Sequence, residues 1–253
     1  MFSVPSVSPV TAAALEHAAS TTIAEHAHPW GQLAVVTRGT MAVLSEDGWW
    51  LAPPGRGIWV PPDVAHSARY SESSALIQLL LDPGLTGILP QQCRTVAVSA
   101  LMRELALEAV RLVPADKGSE NDARLIAQLI IREIARPQAG PKLFVPYGQD
   151  ARLRRAVELL LHNPGSTTTL DELAEQAGAS PRTLARLFVT ETGMTFGRWR
   201  EHLRITVAVE RLTQGRSITQ TALDLGYQSP SAFTTMFTRL LGMPPGRLLK
   251  TLG

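Results

Sequence analysis

Cysteine is nearly absent. Cys93 stands alone in 253 residues, so no intrachain disulfide can form, and none is needed in a reducing compartment. Lysine is almost as scarce: apart from Lys117, Lys142 and Lys250, the 24 basic residues are all arginine. No apolar run approaches the roughly 20 residues of a membrane span. Met1 to Pro9 lacks the basic start and long apolar stretch of a secretory signal. These absences lead us to expect a cytoplasmic protein with no membrane partner. A Gly-rich phosphate loop, a Ser-His-Asp set and a paired-carboxylate motif are also missing, which argues against common hydrolase and nucleotide-dependent chemistries. The hydrophobic content of 45% is ordinary for a globular protein. The length suits one large or two small domains.

What is present is asymmetric. Residues 1–145 hold 11 basic against 13 acidic residues, a net −2, whereas residues 146–253 hold 13 against 9, a net +4. The basic part also contains one unit twice. Leu170, Ala174, Gly178, Ser180-Pro181, Leu184, Phe188 and Gly193 return as Ile218, Ala222, Gly226, Ser229-Pro230, Phe233, Phe237 and Gly242. The offset is 48 between Gly178 and Gly226 and 49 between Ser180 and Ser229, so the second copy carries one extra residue: Tyr227-Gln228 stands opposite Ala179.

Each copy reads as helix, tight turn, helix. Gly178 and Gly226 stop the first helix. Ser180 and Ser229 are N-caps, followed by proline at the first helical position. Leu184, Leu187 and Phe188, and likewise Phe233, Met236, Phe237 and Leu240, lie at helical spacing on one face. This is the helix-turn-helix layout, whose second helix enters the major groove. Phe196, Trp199, Leu203 and Val207 make Phe196 to Gln214 one connecting helix of about 28 Å. Adjacent major grooves on one face of DNA lie about 34 Å apart. Residues 178–193 and 225–237, with Gly242 and Pro244-Pro245, resemble the DNA-binding domain of the AraC/XylS family of transcription regulators. The resemblance covers about Asp150 to Leu249. It implies base contacts from Arg182, Ala185 and Arg186, with Thr183 beside them, and from Ser231, Ala232 and Thr235 in the second copy. Arginine to guanine is the commonest specific pairing, and the second copy offers no long or charged side chain. Arg200, Arg204, Ser180 and Ser229 are candidate phosphate contacts. Read singly, Arg182 and Arg186 could also be plain solvated charge. His162 and His202 read as surface residues.

Upstream, Met1 to Thr22 reads as a loose arm. Leu33-Val36, Met41-Leu44, Trp49-Leu51, Gly57-Val60 and Leu76-Leu81 read as strands of a small sandwich or barrel. His26, His28, Gln32 and Gly39, followed by Gly55, Pro61, Asp63 and His66, resemble the paired motifs of the cupin barrel, with Gln32 in the acidic ligand position and Asp63 in place of a glycine. The family likeness implies a divalent metal. Strand alternation would put His26 and His28 on one face, and three imidazoles with an open position suit Zn(II), Ni(II) or a similar ion. Alternatively, hydrogen bonds satisfy these histidines around an effector pocket. Trp30 and Trp59 are candidate pocket-lining residues, or simply fill the barrel.

Ser99 to Leu112 and Asp122 to Ile134 read as amphipathic helices, with Leu101, Leu105, Leu125, Leu129 and Ile130 on their apolar faces. The AraC resemblance implies that they form a homodimer; an intramolecular hairpin packed on its own barrel fits the periodicity equally. The expected plan is α+β and multidomain: a cupin-like, jelly-roll barrel over 1–90, a helical segment over 91–136, a Pro/Gly linker over 137–149, and an all-α double helix-turn-helix domain over 150–253. The expected function is transcription regulation through double-stranded DNA, controlled by a small-molecule or metal effector in the barrel. A cupin-type metal enzyme and a constitutive DNA-binding protein with a purely dimerising barrel are the alternatives.

Overall fold

The computed structural model describes residues 8–112, 120–137 and 143–252. They form ten strands and nine α-helices, in two compact units: Met1–Ser45 with Trp50–Gly140, and Glu46–Trp49 with Pro141–Gly253.

The first unit is built of antiparallel sheets in a jelly-roll-like arrangement. Its strands are Val10–His17 (β1), Thr21–His26 (β2), Gly31–Arg38 (β3), Met41–Ser45 (β4), Gly48–Ala52 (β5), Arg56–Val60 (β6), His66–Tyr70 (β7), Ser74–Leu81 (β8) and Arg94–Ala97 (β9). One sheet has the order β1-β8-β3-β6-β9, and the other contains β5-β4-β7-β2 with β2 at its edge. The five expected strands are β3, β4, β5, β6 and β8. The expected loose arm is corrected over its described part: Val10 to His17 pairs with β8 along its full length. The strand β9 falls inside the 91–136 segment, ahead of the first of its two expected helices.

Strand β3 is buried on both sides, and the register sorts its faces. Leu33 lies opposite Trp59 and Leu79, whereas Gln32 lies opposite Val60 and Leu80. Directly paired residues share a face and neighbours along a strand do not. The Leu33 face packs under two helices, Ala100–Leu112 (α1) and Glu120–Ala135 (α2). Met102, Leu105, Ala106, Ile126, Ile130 and Ile134 join Leu33, Trp59, Leu79 and Leu81 in one core. The buried stripe of each helix is therefore spent on its own sheet. Leu101, Leu125 and Leu129 remain 45%, 51% and 43% exposed.

The second unit is helical after a short strand, Phe144–Pro146 (β10), which lies in the stretch read as linker. Its helices are Ala151–His162 (α3), Leu170–Ala177 (α4), Pro181–Thr192 (α5), Phe196–Thr213 (α6), Ile218–Asp224 (α7), Pro230–Leu241 (α8) and Pro245–Leu252 (α9). Local chemistry sets the ends. Asp150 caps α3 by accepting from Arg152 N. Thr169 and Glu172 form a reciprocal capping box on α4, which satisfies two orphan N–H groups at once. The connector α6 is 18 residues long, about 27 Å. Its Trp199 is fully buried, lies 5.6 Å from the Phe188 ring, and donates from Nε1 to Pro146 O at 2.8 Å.

Candidate functional site

The turns of the two helix-turn-helix units form where the residue types require. Gly178 ends α4 at φ 71°, a left-handed conformation that would strain any residue with a Cβ. Ser180 then accepts from Thr183 N, and its hydroxyl lies 2.8 Å from Thr183 Oγ1. Ser229 repeats the cap by accepting from Ala232 N. With α5 so anchored, Leu184, Leu187 and Phe188 are buried, and Arg182 and Arg186 project into solvent. Among the described residues neither arginine has an ion-pair or hydrogen-bond partner. Thr183 and Ala185 are half-buried beside them. On α8, Phe233, Met236 and Phe237 are buried and Ser231, Ala232 and Thr235 are exposed. Thr235 Oγ1 donates back to Ser231 O at 3.0 Å. Leu240 is only partly buried, and Leu241 is the residue that turns inward.

Three expectations change on α6. Arg204, expected at phosphate, donates from Nε to Pro164 O at 3.1 Å and from Nη2 to Ser166 O at 2.9 Å, and lies over the Tyr227 ring. Arg200 donates to Thr168 O at 3.0 Å and lies 4.8 Å over the Phe196 ring. Both guanidiniums are engaged by the fold. Helical periodicity told which residues leave the core, and could not tell that a loop would cover them. His202 is half-buried rather than a surface residue, and its Nδ1 is buried with no partner among the described residues. Burial, and then Arg198, push its pKa down.

In the first unit, His26, His28 and His66 converge. Their ligand nitrogens lie within 4.8 Å of one another. The placement differs from simple alternation. His26 ends β2, directly across from His66 on β7, and His28 lies in the loop beyond. Asp63 holds that loop: its backbone N–H donates to His28 O at 2.9 Å from a left-handed φ of 60°, which accounts for a glycine in the related motif. His26 is exposed, His28 half-buried and His66 buried, so the cluster opens to solvent on one side.

Hydrogen bonds set the tautomers. Each Nδ1 lies 2.8 to 2.9 Å from a backbone carbonyl, of Ala24, Trp30 and Val64 respectively. A carbonyl only accepts, so each Nδ1 carries a proton, and a neutral ring then has its lone pair on Nε2. His66 Nε2 is buried with no partner among the described residues, and so is the hydroxyl of Ser45, paired with His66 on its other side. Burial drives the His66 pKa down to about 4, so the ring is neutral at pH 7. His28 Nε2 lies 3.0 Å from Gln32 Oε1, which also accepts from Gln78 Nε2 at 3.1 Å. Two facing lone pairs repel unless a proton or a cation lies between them, or Gln32 turns its amide and surrenders its bond from Gln78. Backbone bonds of this kind are how metal-binding histidines are commonly oriented. The donor set fits a divalent ion: three imidazoles, one amide oxygen, and no carboxylate in the group among the described residues. Gln78 is the member that sequence reasoning missed; its only signal was a polar residue inside the apolar β8.

Trp59 is corrected. It lies on the opposite face of its sheet from Gln32, under α1 and α2, with Nε1 donating to Pro90 O at 3.0 Å. It lines no site shared with the histidines. Trp30 is half-buried, and its carbonyl is the acceptor that orients His28.

Family models match both parts. A helix-turn-helix domain model matches residues 173–251, and an AraC-like ligand binding domain model matches residues 9–135, half of the chain. The chain belongs to the AraC family of transcription regulators. The HTH-type transcriptional regulator NimR of Escherichia coli is 33% identical over 227 residues, 90% of this chain and 82% of that protein. The HTH-type transcriptional activator RhaR of Klebsiella pneumoniae is 25% identical over 88% of this chain and 86% of its own length. Among solved structures, unsaturated fatty acid-bound ToxT from Vibrio cholerae aligns over 95% of this chain and 94% of its own, with 11% identity and a TM-score of 0.40. As an AraC-family member the chain is a DNA-binding regulator with an N-terminal ligand-binding domain. Among the described residues no helix is long and apolar enough to cross a membrane.

Proposed function

We propose that this AraC-family regulator reads DNA mainly through α5 and is controlled by a divalent ion, or an ion-bound small molecule, held by His26, His28, His66 and Gln32. The observation that supports the DNA reading best is the Arg182–Arg186 pair: two exposed guanidiniums, one turn apart, with no partner in the described structure. Arginine is suited to bidentate contact with guanine. The matching face of α8 carries only Ser231, Ala232 and Thr235, so it contributes shape fit and phosphate contacts rather than direct readout. Ala185 offers only a methyl group. A homodimer formed by the leucine faces of α1 and α2 would bring four reading heads to one operator.

Such an ion would supply a positive centre able to polarise an added ligand. The chain's own residues fix the donor directions: Ala24, Trp30 and Val64 hold the rings, and Gln78 holds Gln32. The test joins two measurements. Metal analysis of untagged protein should return close to one equivalent of Zn or Ni per chain, with less than a tenth in His66→Ala. Gel shifts on the region upstream of the gene should then depend on the ion. A metal-free native protein that still binds this DNA would remove the ion and leave the DNA reading intact. Catalytic turnover by the metal-loaded protein would instead favour the enzyme alternative.

A further inference from the structure

The second helix-turn-helix copy has one residue more than the first, and its place in the fold gives it a purpose. Tyr227, which shares the position of Ala179 with Gln228, lies beneath the Arg204 guanidinium at 5.4 Å and against the Phe233 ring at 5.5 Å. Phe233 is fully buried at the root of α8. Arg204 therefore touches the second unit through Tyr227. With the same guanidinium it grips the entry to the first unit, donating to the carbonyls of Pro164, Gly165 and Ser166. One turn earlier, Arg200 holds Thr168 O in the same entry segment.

The two units also meet backbone to backbone at this point. A Cβ on Gly165 would come within 2.3 Å of Asp224 O, and a Cβ on Gly226 within 2.4 Å of Gly165 O. Neither obstacle is a flexible side-chain end, so only glycine allows the approach. Gly226 additionally has φ 76°. A connector helix alone would leave each head free to rock about its end. Here a planar guanidinium with several donors, which a lysine cannot imitate, ties both heads to the middle of α6.

We propose that Arg204, Gly165, Gly226 and Tyr227 form a joint that fixes the two reading heads relative to each other and so sets the spacing of the two DNA segments one chain accepts. Arg204 is a positioning residue and touches no DNA. The inference rests on the family's DNA binding for its functional half and on geometry alone for the joint.

Two measurements separate these halves. Nitroxides at Thr190→Cys on α5 and Thr238→Cys on α8, in a Cys93→Ser background, report the head-to-head distance without DNA. A narrow distribution is expected for the native joint and a clearly broader one for Arg204→Ala. On duplexes carrying the site that the native chain selects from random DNA, inserting half a helical turn (about 5 bp) between the two contacted segments should weaken native binding at least tenfold. Arg204→Ala should flatten that preference to about threefold while keeping affinity for the α5 segment alone. Arg204→Lys, which retains the charge but not the fork, should fall between them and decides the matter if the alanine variant does not fold. An unchanged distance distribution overturns the joint. Proportional loss on every duplex, with the native spacing preference kept, reduces Arg204 to a general stabiliser and overturns it as well. Native protein that selects no site refutes the DNA half, and the distance measurement then judges the joint.

Discussion

Replacing Arg186 by alanine separates base readout from every other role open to an exposed arginine. The side chain leaves α5 opposite the buried Leu184, Leu187 and Phe188 and has no partner among the described residues. Its removal therefore costs the fold little, within about 0.5 kcal/mol as for ordinary surface positions. For a chain of this size that shifts Tm by roughly 2 °C or less. A bidentate contact to one guanine is worth about 1–3 kcal/mol, or roughly 5- to 150-fold in Kd. The loss should fall on sites carrying that guanine and shrink on sites lacking it, so the preference at one base pair relaxes. Fluorescence anisotropy against a panel of single-base operator variants, at several salt concentrations, reads all of this. A phosphate contact gives a different pattern: uniform weakening across the panel and a salt slope reduced by about one. That uniform pattern, or a Tm loss of many degrees, would refute the assignment.

Further outcomes follow from the same structure. Gly178→Ala should cost about 1–2 kcal/mol, read by urea unfolding, because it forces a Cβ into a left-handed position at φ 71°. Thr169→Ala removes one half of the capping box and should cost about 1 kcal/mol. Trp59→Ala should cost about 3–5 kcal/mol and leave metal uptake unchanged, since the ring faces α1 and α2 rather than the histidines; lost metal uptake in folded protein would contradict the face assignment. Zinc at 100 times its Kd should stabilise the native chain by about 2.7 kcal/mol, an effect that His66→Ala abolishes. Gln32→Glu should tighten the ion by supplying a charged oxygen ligand, and an ion bound no more tightly would remove Gln32 from the donor set.

The helical half was legible because its signals are local. Gly178, Ser180-Pro181, Ser229-Pro230 and Gly242 each act within one turn of chain, so caps and stops can be read from a few neighbours. The face of α5 was legible for the same reason. That the fold engages Arg200 and Arg204 was not legible, because their partners lie 32 to 40 residues away. In the barrel, β1 was missed because its run Val-Thr-Ala-Ala-Ala-Leu-Glu-His is weakly apolar and has no turn signal in front of it; β8 makes it a strand. The face of Trp59 could not be read at all. Where both sides of a strand are buried, as in β3 and β6, alternation separates two sets of residues without saying which set faces the helices. The histidine cluster was read from the resemblance of its two stretches to the paired cupin motifs. That Gln78 takes part depended on strand register alone.

Strand β3 has a consequence for how news of an occupant would travel. Gln32 belongs to the histidine side of its sheet and Leu33, the very next residue, to the side covered by the leucine-bearing hairpin. One peptide unit is all that separates them. If an occupant pulls on the Gln32 amide, as the proposed function requires, the strain would enter the helix-covered side of the sheet across that single plane of atoms.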